Sequence, residues 1–343
     1  MSRNKTILIF TLFLLVSTVV AMPRPVAAQD SKTIVITSAY GIGTKAVSNL
    51  TTWLEGLGHT VIDANGGINS SILAGADALI FGGPYGPIAG IDELNATNGA
   101  IVFAAIHSWW TSSGGKFLWV GSDGDYEGRN WIAFNSSRIL EEAGSALRVE
   151  PADISETKTV WDDGIADYRV IVNVTAPNPV SQSLMAGVNA SLFHGPTCLY
   201  GISGGSPVAL ETTNIPNVFP IGLTDPSALY EPDDPTVPGY AHTQGQAGPF
   251  VMIAGEMYLG PEDNSKVIAS GSTPYGGYEP IWKDFYHGLT LTGSVLVKNA
   301  ILWGLTVEAP IIGPDPILIM AIAGVVIVVI IIIVVIIFLR RRK

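Results

Sequence analysis

The sequence predicts an α/β protein: a doubly wound, mostly parallel sheet with a β-rich insertion, followed by one C-terminal transmembrane helix. Three observations carry that expectation. From Lys32 to Ala143, β-branched runs alternate with segments whose apolar residues recur at helical spacing. After Pro249, two strand-like runs and a closing helical segment restore this order. The chain then ends in an unbroken apolar run of 23 residues, Ile317 to Leu339, followed by Arg340-Arg341-Arg342-Lys343.

The elements follow in order. Ser2-Arg3-Asn4-Lys5, the apolar stretch Ile7 to Met22 and the small residues Val26-Ala27-Ala28 before Gln29 read as a secretory signal peptide over residues 1–28. An uncleaved first transmembrane helix is the alternative, since Pro23 and Pro25 do not forbid one. Thr33 to Thr37 is a β-branched strand that ends in Tyr40-Gly41-Ile42-Gly43. Ala46 to Leu57 then carries Val47, Leu50, Leu54 and Leu57 at helical spacing and stops at Gly58. Further strands are expected at Thr60 to Asp63 and at Ala76 to Phe81, the latter ending in Gly82-Gly83-Pro84, with a helix within Thr97 to Trp110. A fourth strand, Phe117 to Val120, ends in Gly121-Ser122-Asp123-Gly124-Asp125 and leads to a helix from about Trp131 to Ala143. Buried strands alternating with helices imply parallel pairing with right-handed crossovers.

Between about 146 and 248 the pattern changes to short β-rich runs such as Tyr168 to Val174, and Pro, Asp and Gly crowd Asn214 to Gly248. This reads as strands and long loops inserted into, or appended to, the sheet. Pro249 to Ala254 and Lys266 to Ser272 read as paired strands, and Leu289 to Leu305 as the closing helix of an extracellular domain spanning 29–308. A linker over 309–316 leads to the span at 317–339, which at about 1.5 Å per residue crosses a hydrocarbon layer roughly 30 Å thick. The basic tail at 340–343 places the C-terminus in the cytoplasm and the N-terminus outside, making a single-pass protein of the cell membrane.

The chain has 18 basic and 29 acidic residues. Seven of the basic residues lie in the leader or the tail, so the part between keeps 11 against 29, a net charge near −18. That charge makes nucleic acid and anionic membrane surfaces poor partners. It is compatible with cation binding or a high-salt setting, and equally with simple solubility. Cys198 is the sole cysteine, so no disulfide framework exists and a hydrophobic core must supply stability. Asn49, Asn69, Asn95, Asn135, Asn173 and Asn189 each begin an N-x-S/T sequon, open to glycosylation in an extracellular domain.

Phe81-Gly82-Gly83-Pro84 after the third strand and Gly121-Ser122-Asp123-Gly124-Asp125 after the fourth resemble the class I glutamine amidotransferase-like superfamily. The closing strand Ala269-Ser270-Gly271-Ser272 and the helix through Asn299 to Trp303 resemble its noncatalytic, membrane-anchored branch. The likeness covers 32–145 and 249–305 and implies a flavodoxin-like sheet. In that superfamily the Gly-Gly-Pro turn helps to form an oxyanion hole, and a Cys on the strand-to-helix elbow is the nucleophile. Here Asp123 holds the elbow, and no His-x-Glu pair follows, so glutaminase activity is not expected.

Asp123, Asp125 and Glu127 alternate ahead of Gly128 like the start of a calcium loop, although position twelve is Phe134 rather than Glu. The alternative is a polar loop whose Asp residues cap the next helix. Gly201-Ile202-Ser203-Gly204-Gly205 matches G-x-S-x-G, with His242 and His287 downstream, yet the following residues read as a turn into another strand. His194 and His107 lack metal-ligand spacing. Aromatics gather near the ends of the third and fourth strands, where open α/β sheets place their crevice. The candidate crevice is therefore Gly82, Gly83, Tyr85, Ser122, Asp123, Asp125 and Tyr126, suited to a sugar, a peptide or a cationic solute, or simply to core packing. The expected function is an extracellular binding or interaction module with an unknown ligand or protein partner. The alternatives are an extracellular hydrolase using Asp123 or Ser203, and a structural cell-surface component.

Overall fold

The computed structural model describes residues 30–84, 96–156 and 167–306. The leader, the linker, the span 317–339, the basic tail, Tyr85 and Asn95 lie outside these residues. Among the described residues no helix is long and apolar enough to cross a membrane. The first half of the domain runs β1 (Thr33–Thr37), α1 (Val47–Gly56), β2 (Thr60–Asp63), α2 (Ser70–Leu73), β3 (Ala78–Phe81), α3 (Ala96–Trp110), β4 (Phe117–Gly121) and α4 (Trp131–Glu142). Then come β5 (Leu147–Val149), β6 (Asp153–Ser155), β7 (Arg169–Val172), β8 (Val174–Thr175), α5 (Pro179–Leu184), β9 (Ser191–His194), β10 (Leu199–Ser203) and β11 (Ser206–Ala209). The last third holds β12 (Val218–Leu223), β13 (Leu229–Glu231), β14 (Val251–Leu259), β15 (Ser265–Ser270), β16 (Phe285–Tyr286), β17 (Leu289–Thr290) and α6 (Gly293–Leu305).

An eight-stranded sheet in the order β2-β1-β3-β4-β15-β14-β12-β8 forms the centre. Its first five strands are parallel, and β14, β12 and β8 complete it antiparallel. Alternation along each strand divides the core between the two faces. Ile34, Ile36 and Ile80 pack with Leu50 and Leu54 of α1 and with Leu296, Val297 and Ile301 of α6. Val35, Leu79 and Leu118 pack with Val102 and Ile106 of α3 and Ile139 and Leu140 of α4. Each such fully buried side chain contributes about 1.5–3 kcal/mol, and the helices therefore bind both faces.

The β-rich stretch does not stand apart from this sheet, because β8 and β12 extend its antiparallel side. The other strands of that stretch form three small sheets, β11-β10-β5, β13-β6 and β7-β9. Several expected boundaries move: the strand expected at Pro249 to Ala254 runs Val251–Leu259, and that expected at Lys266 to Ser272 runs Ser265–Ser270. The third strand is Ala78–Phe81, and the Ala76 carbonyl ahead of it accepts the Trp109 indole N–H at 2.7 Å instead of joining the sheet. The closing helix begins at Gly293, and Leu289 and Thr290 instead form a hairpin with β16. Asp284 accepts the Ser294 N–H at 3.0 Å, so a neighbouring turn satisfies the start of this helix.

Beyond the last paired residues of β1 and β3, Thr37 and Phe81, the two chains part. The fully buried Tyr275 hydroxyl fills that point, accepting the N–H groups of Thr37 and Gly82 at 3.1 Å each. Its own proton goes to the carbonyl of Thr37 at 2.9 Å or of Ile80 at 2.5 Å. Tyr275→Phe leaves both N–H groups buried without this acceptor. We expect it to lower the unfolding free energy by ~1–3 kcal/mol in urea titration while the secondary structure by circular dichroism stays unchanged.

Candidate functional site

Parallel strands bring their carboxyl ends to one edge, and the loops that follow them meet there. The turn after β4 is the elbow predicted from sequence. Gly195-Pro196-Thr197, directly after β9, crosses it as a strap: Gly124 donates its N–H to the Gly195 carbonyl at 2.8 Å, and Thr197 donates to Gly271 at 3.0 Å. Glycine is required at both contacts. A Cβ on Gly124 would lie 1.6 Å from Asp153 Oδ1, and one on Gly271 would lie 1.7 Å from the Thr197 carbonyl oxygen. Asp153, on β6, sits against the elbow beside the N–H groups of Asp125 and Tyr126, and its Oδ1 is buried without a hydrogen-bond partner among the described residues.

Beside the strap lies a cleft of about 1080 Å³. Loops after β1, β4 and β15 supply Gly41 to Gly43, Asp123 and Tyr126, and Tyr278 and Glu279; Asp153, Glu231 and Asp233 come from β6, β13 and the loop after β13. Carboxylates outnumber cations in the lining, six to one, with Arg129 as the single cation. Burial pushes the Asp153 carboxyl up to about 8, and the charges of Asp125 and Asp233 add to the effect against the two N–H groups that oppose it. Burial pushes His194 down to about 4, so its ring is neutral.

Of the crevice residues predicted from sequence, Asp123 and Tyr126 line the cleft. Gly82 lies beneath the loops with its N–H on Tyr275, and Gly83 and Ser122 are buried beside it in sequence and fold. Asp125 turns away and accepts the N–H groups of Asp233 and Asp234 at 3.1 and 3.3 Å, so it ties two loops together rather than capping α4. Glu127 reaches outward to Arg129 at 2.6 Å. The three residues of the calcium-like pattern are thus engaged in different places, and among the described residues no group of three or more His, Cys, Asp or Glu could hold a metal ion.

Ser203 ends β10 in a tight hairpin to β11, with no helix after it. Four sequon asparagines, Asn49, Asn69, Asn173 and Asn189, are exposed, and Asn135 is half-buried on α4. Asn69 also caps α2, accepting the N–H groups of Ser71 and Ile72.

The sequence reading missed Asp153, Glu231, Asp233, Tyr278 and Glu279, and it set His194 aside for lack of metal-ligand spacing. One signal was legible: Tyr275-Gly276-Gly277-Tyr278-Glu279 follows a strand of the parallel set, where site loops belong.

A second titratable cluster is sealed in the core. His242 Nδ1 lies 3.0 Å from Glu150, and Nε2 lies 3.2 Å from Glu211. Cys198 Sγ lies 3.8 Å from the same Nδ1. Burial works against the imidazolium, but the surrounding groups, the two carboxylates among them, raise its pKa overall; burial raises that of the Cys198 thiol. A catalytic triad needs one imidazole nitrogen for the nucleophile and the other for the orienting carboxylate. Here Nδ1 faces both, so the cluster is a structural ion group. Glu150 also accepts the N–H groups of Tyr240, Ala241 and His242, fixing the loop before β14.

Two outcomes test these assignments. Between its ordinary value of 3.8 and about 8, Asp153 keeps in the folded state a proton that the unfolded chain has released. Its contribution to stability is therefore greatest at the acidic end and declines as pH rises through that window. Asp153→Asn should flatten this segment of the stability-against-pH curve measured by urea titration. His242→Ala leaves two carboxylates without their cation and should cost ~3–5 kcal/mol at pH 6. Because the folded pKa of His242 is raised, that difference should be complete below about 6.5 and shrink as pH increases.

No protein-family model matches the chain, and no curated protein matches it. Among solved structures, an mmIFT52 N-terminal domain aligns over 81% of this chain and 99% of its own, at 13% identity and a TM-score of 0.49.

Proposed function

We propose that this chain is a single-pass surface protein whose extracellular, amidotransferase-like domain binds a ligand or partner in the cleft and has no glutaminase activity. The carrying observation is the fate of the elbow N–H groups. An acyl-transfer site must hold such donors open for a developing oxyanion. Gly124 donates to the strap, Gly82 donates to Tyr275, and the Asp153 carboxyl closes over the N–H groups of Asp125 and Tyr126. What remains accessible is a cleft of carboxylates and ring faces, which suits recognition.

The direction of the chain agrees with a membrane anchor. The buried Lys266, paired with Phe117 at the start of β4, donates to the carbonyls of Trp303 and Thr306 at 2.8 and 3.0 Å. The chain therefore leaves α6 at the amino-terminal edge of the parallel strands, opposite the cleft. An anchor following α6 would leave the cleft facing outward.

The test is thermal unfolding of the full-length protein in non-ionic detergent, with calcium, sugars, peptides and amines. A ligand at one hundred times its dissociation constant adds about 2.7 kcal/mol and raises the midpoint. We expect at least one class to do so, with a smaller shift in Asp123→Asn. Turnover of any panel compound that disappears in Asp123→Asn or Ser203→Ala would replace this reading with a hydrolase.

A further inference from the structure

The fold gathers the sequon asparagines at one edge of the sheet. Each helix that follows a parallel strand starts at the carboxyl edge. Asn49 lies in the first turn of α1, Asn69 caps α2, and Asn135 lies near the start of α4. Asn189 donates its backbone N–H to the hydroxyl of Thr292, the residue before α6, at 2.8 Å. Asn173 precedes Val174, which pairs with Leu223. Leu223 pairs with Val251, at the end of β14 that lies beside Ser270, the last residue of β15. That end is the carboxyl edge as well. Among the described residues the amino edge, where the chain leaves α6, carries no sequon.

The cleft opens on the same edge, with sequons on two of its flanks. On the first flank, Gly43 lines the cleft and leads into α1 with Asn49. Tyr40, just before this loop, accepts the Ile68 N–H at 2.7 Å, next to Asn69. On the second flank, Tyr168 and His194 line the cleft, and the β7-β9 ladder runs from the Arg169 and His194 pair to Val172 and Ser191, beside Asn173 and Asn189. Asn49, Asn69, Asn173 and Asn189 are exposed, whereas Asn135 is half-buried. In Asn69 the cap uses Oδ1, which accepts the Ser71 and Ile72 N–H groups at 3.0 and 3.1 Å. The amide nitrogen, the atom that bonds a glycan, is left outside the cap.

We propose that Asn49, Asn69, Asn173 and Asn189 carry N-linked glycans that form a collar around the cleft, so that its ligand is a small solute and not a folded protein. This rests on the reading of the domain as extracellular. At each site the amide nitrogen bonds to C1 of a sugar as the sugar–phosphate bond of a lipid-linked oligosaccharide breaks; the amide gives up one proton and the lipid phosphate leaves. A folded partner needs a continuous patch of about 800 Å², which glycans on both flanks interrupt. A solute entering a cleft of about 1080 Å³ needs only the mouth to stay open.

The experiment uses the full-length protein from the membranes of the cells that make it. Glycopeptide mass spectrometry should find a glycan at each of the four asparagines. Trypsin, itself a folded protein, then probes the shielding before and after enzymatic removal of the glycans. Acting on the folded protein avoids Asn→Gln variants that might not fold. Cutting after Lys45 and Arg129, at the cleft edge, should become several-fold faster once the glycans are gone. Cutting after Lys116, at the amino edge before β4, should keep its rate. Bare asparagines on either flank overturn the proposal. So do rates that are equal before and after removal, or that rise equally at Lys116, which would report lost stability instead of lost shielding. A membrane-impermeant biotin ester applied to intact cells separates this failure from that of the extracellular reading. A domain that is labelled yet bare loses the collar and keeps the surface reading, whereas one labelled only after lysis overturns both.

Discussion

The carboxyl edge of the sheet depends on backbone packed against backbone. Gly121 lies under the Gly82 carbonyl, Gly124 under the Gly195 carbonyl and the Asp153 carboxylate, and Gly271 under the Thr197 carbonyl, each at a distance that admits no Cβ. These contacts let the strap descend until its peptide groups pair with the elbow and with the end of β15. Close approach turns loop ends, which would otherwise present unsatisfied N–H and C=O groups, into a hydrogen-bonded lid over β4 and β15.

The lid also sets the electrostatics. Asp153 is held against the elbow, where burial and the charges of Asp125 and Asp233 raise its pKa. A strand-to-helix elbow is suited to stabilising negative charge from a substrate, but here the protein's own Asp153 carboxyl takes that place. Ring faces and the other carboxylates line the cleft beside it.

Further into the β-rich stretch, a different device holds a long loop. The segment before β14 has few apolar side chains to bury, and it is anchored by Glu150, which accepts three successive N–H groups, and by His242 between two carboxylates. Hydrogen bonds to a buried charge are stronger than neutral ones, so a loop rich in Pro, Asp and Gly gains a fixed course without a large core. The fixed course matters because the same stretch delivers Glu231 and Asp233 to the cleft.

The sequence by itself determined most strands and helices of the parallel half, though not the short helix Ser70–Leu73, because period and turn residues are local. Thr33 to Thr37, Thr60 to Asp63 and Phe117 to Val120 were legible within a residue, and the two runs after Pro249 do pair, though the first extends to Leu259. It also marked Asp123 and Tyr126, since the position of a site loop follows from strand direction. The small sheets, the strap, the Tyr275 bridge and the Glu150–His242–Glu211 cluster were not legible. Tyr275 meets Thr37 across 238 residues, and His242 meets Glu150 across 92. Only the tertiary structure decided these contacts and the composition of the cleft, because they depend on which loop ends converge in space, and no local periodicity encodes that convergence.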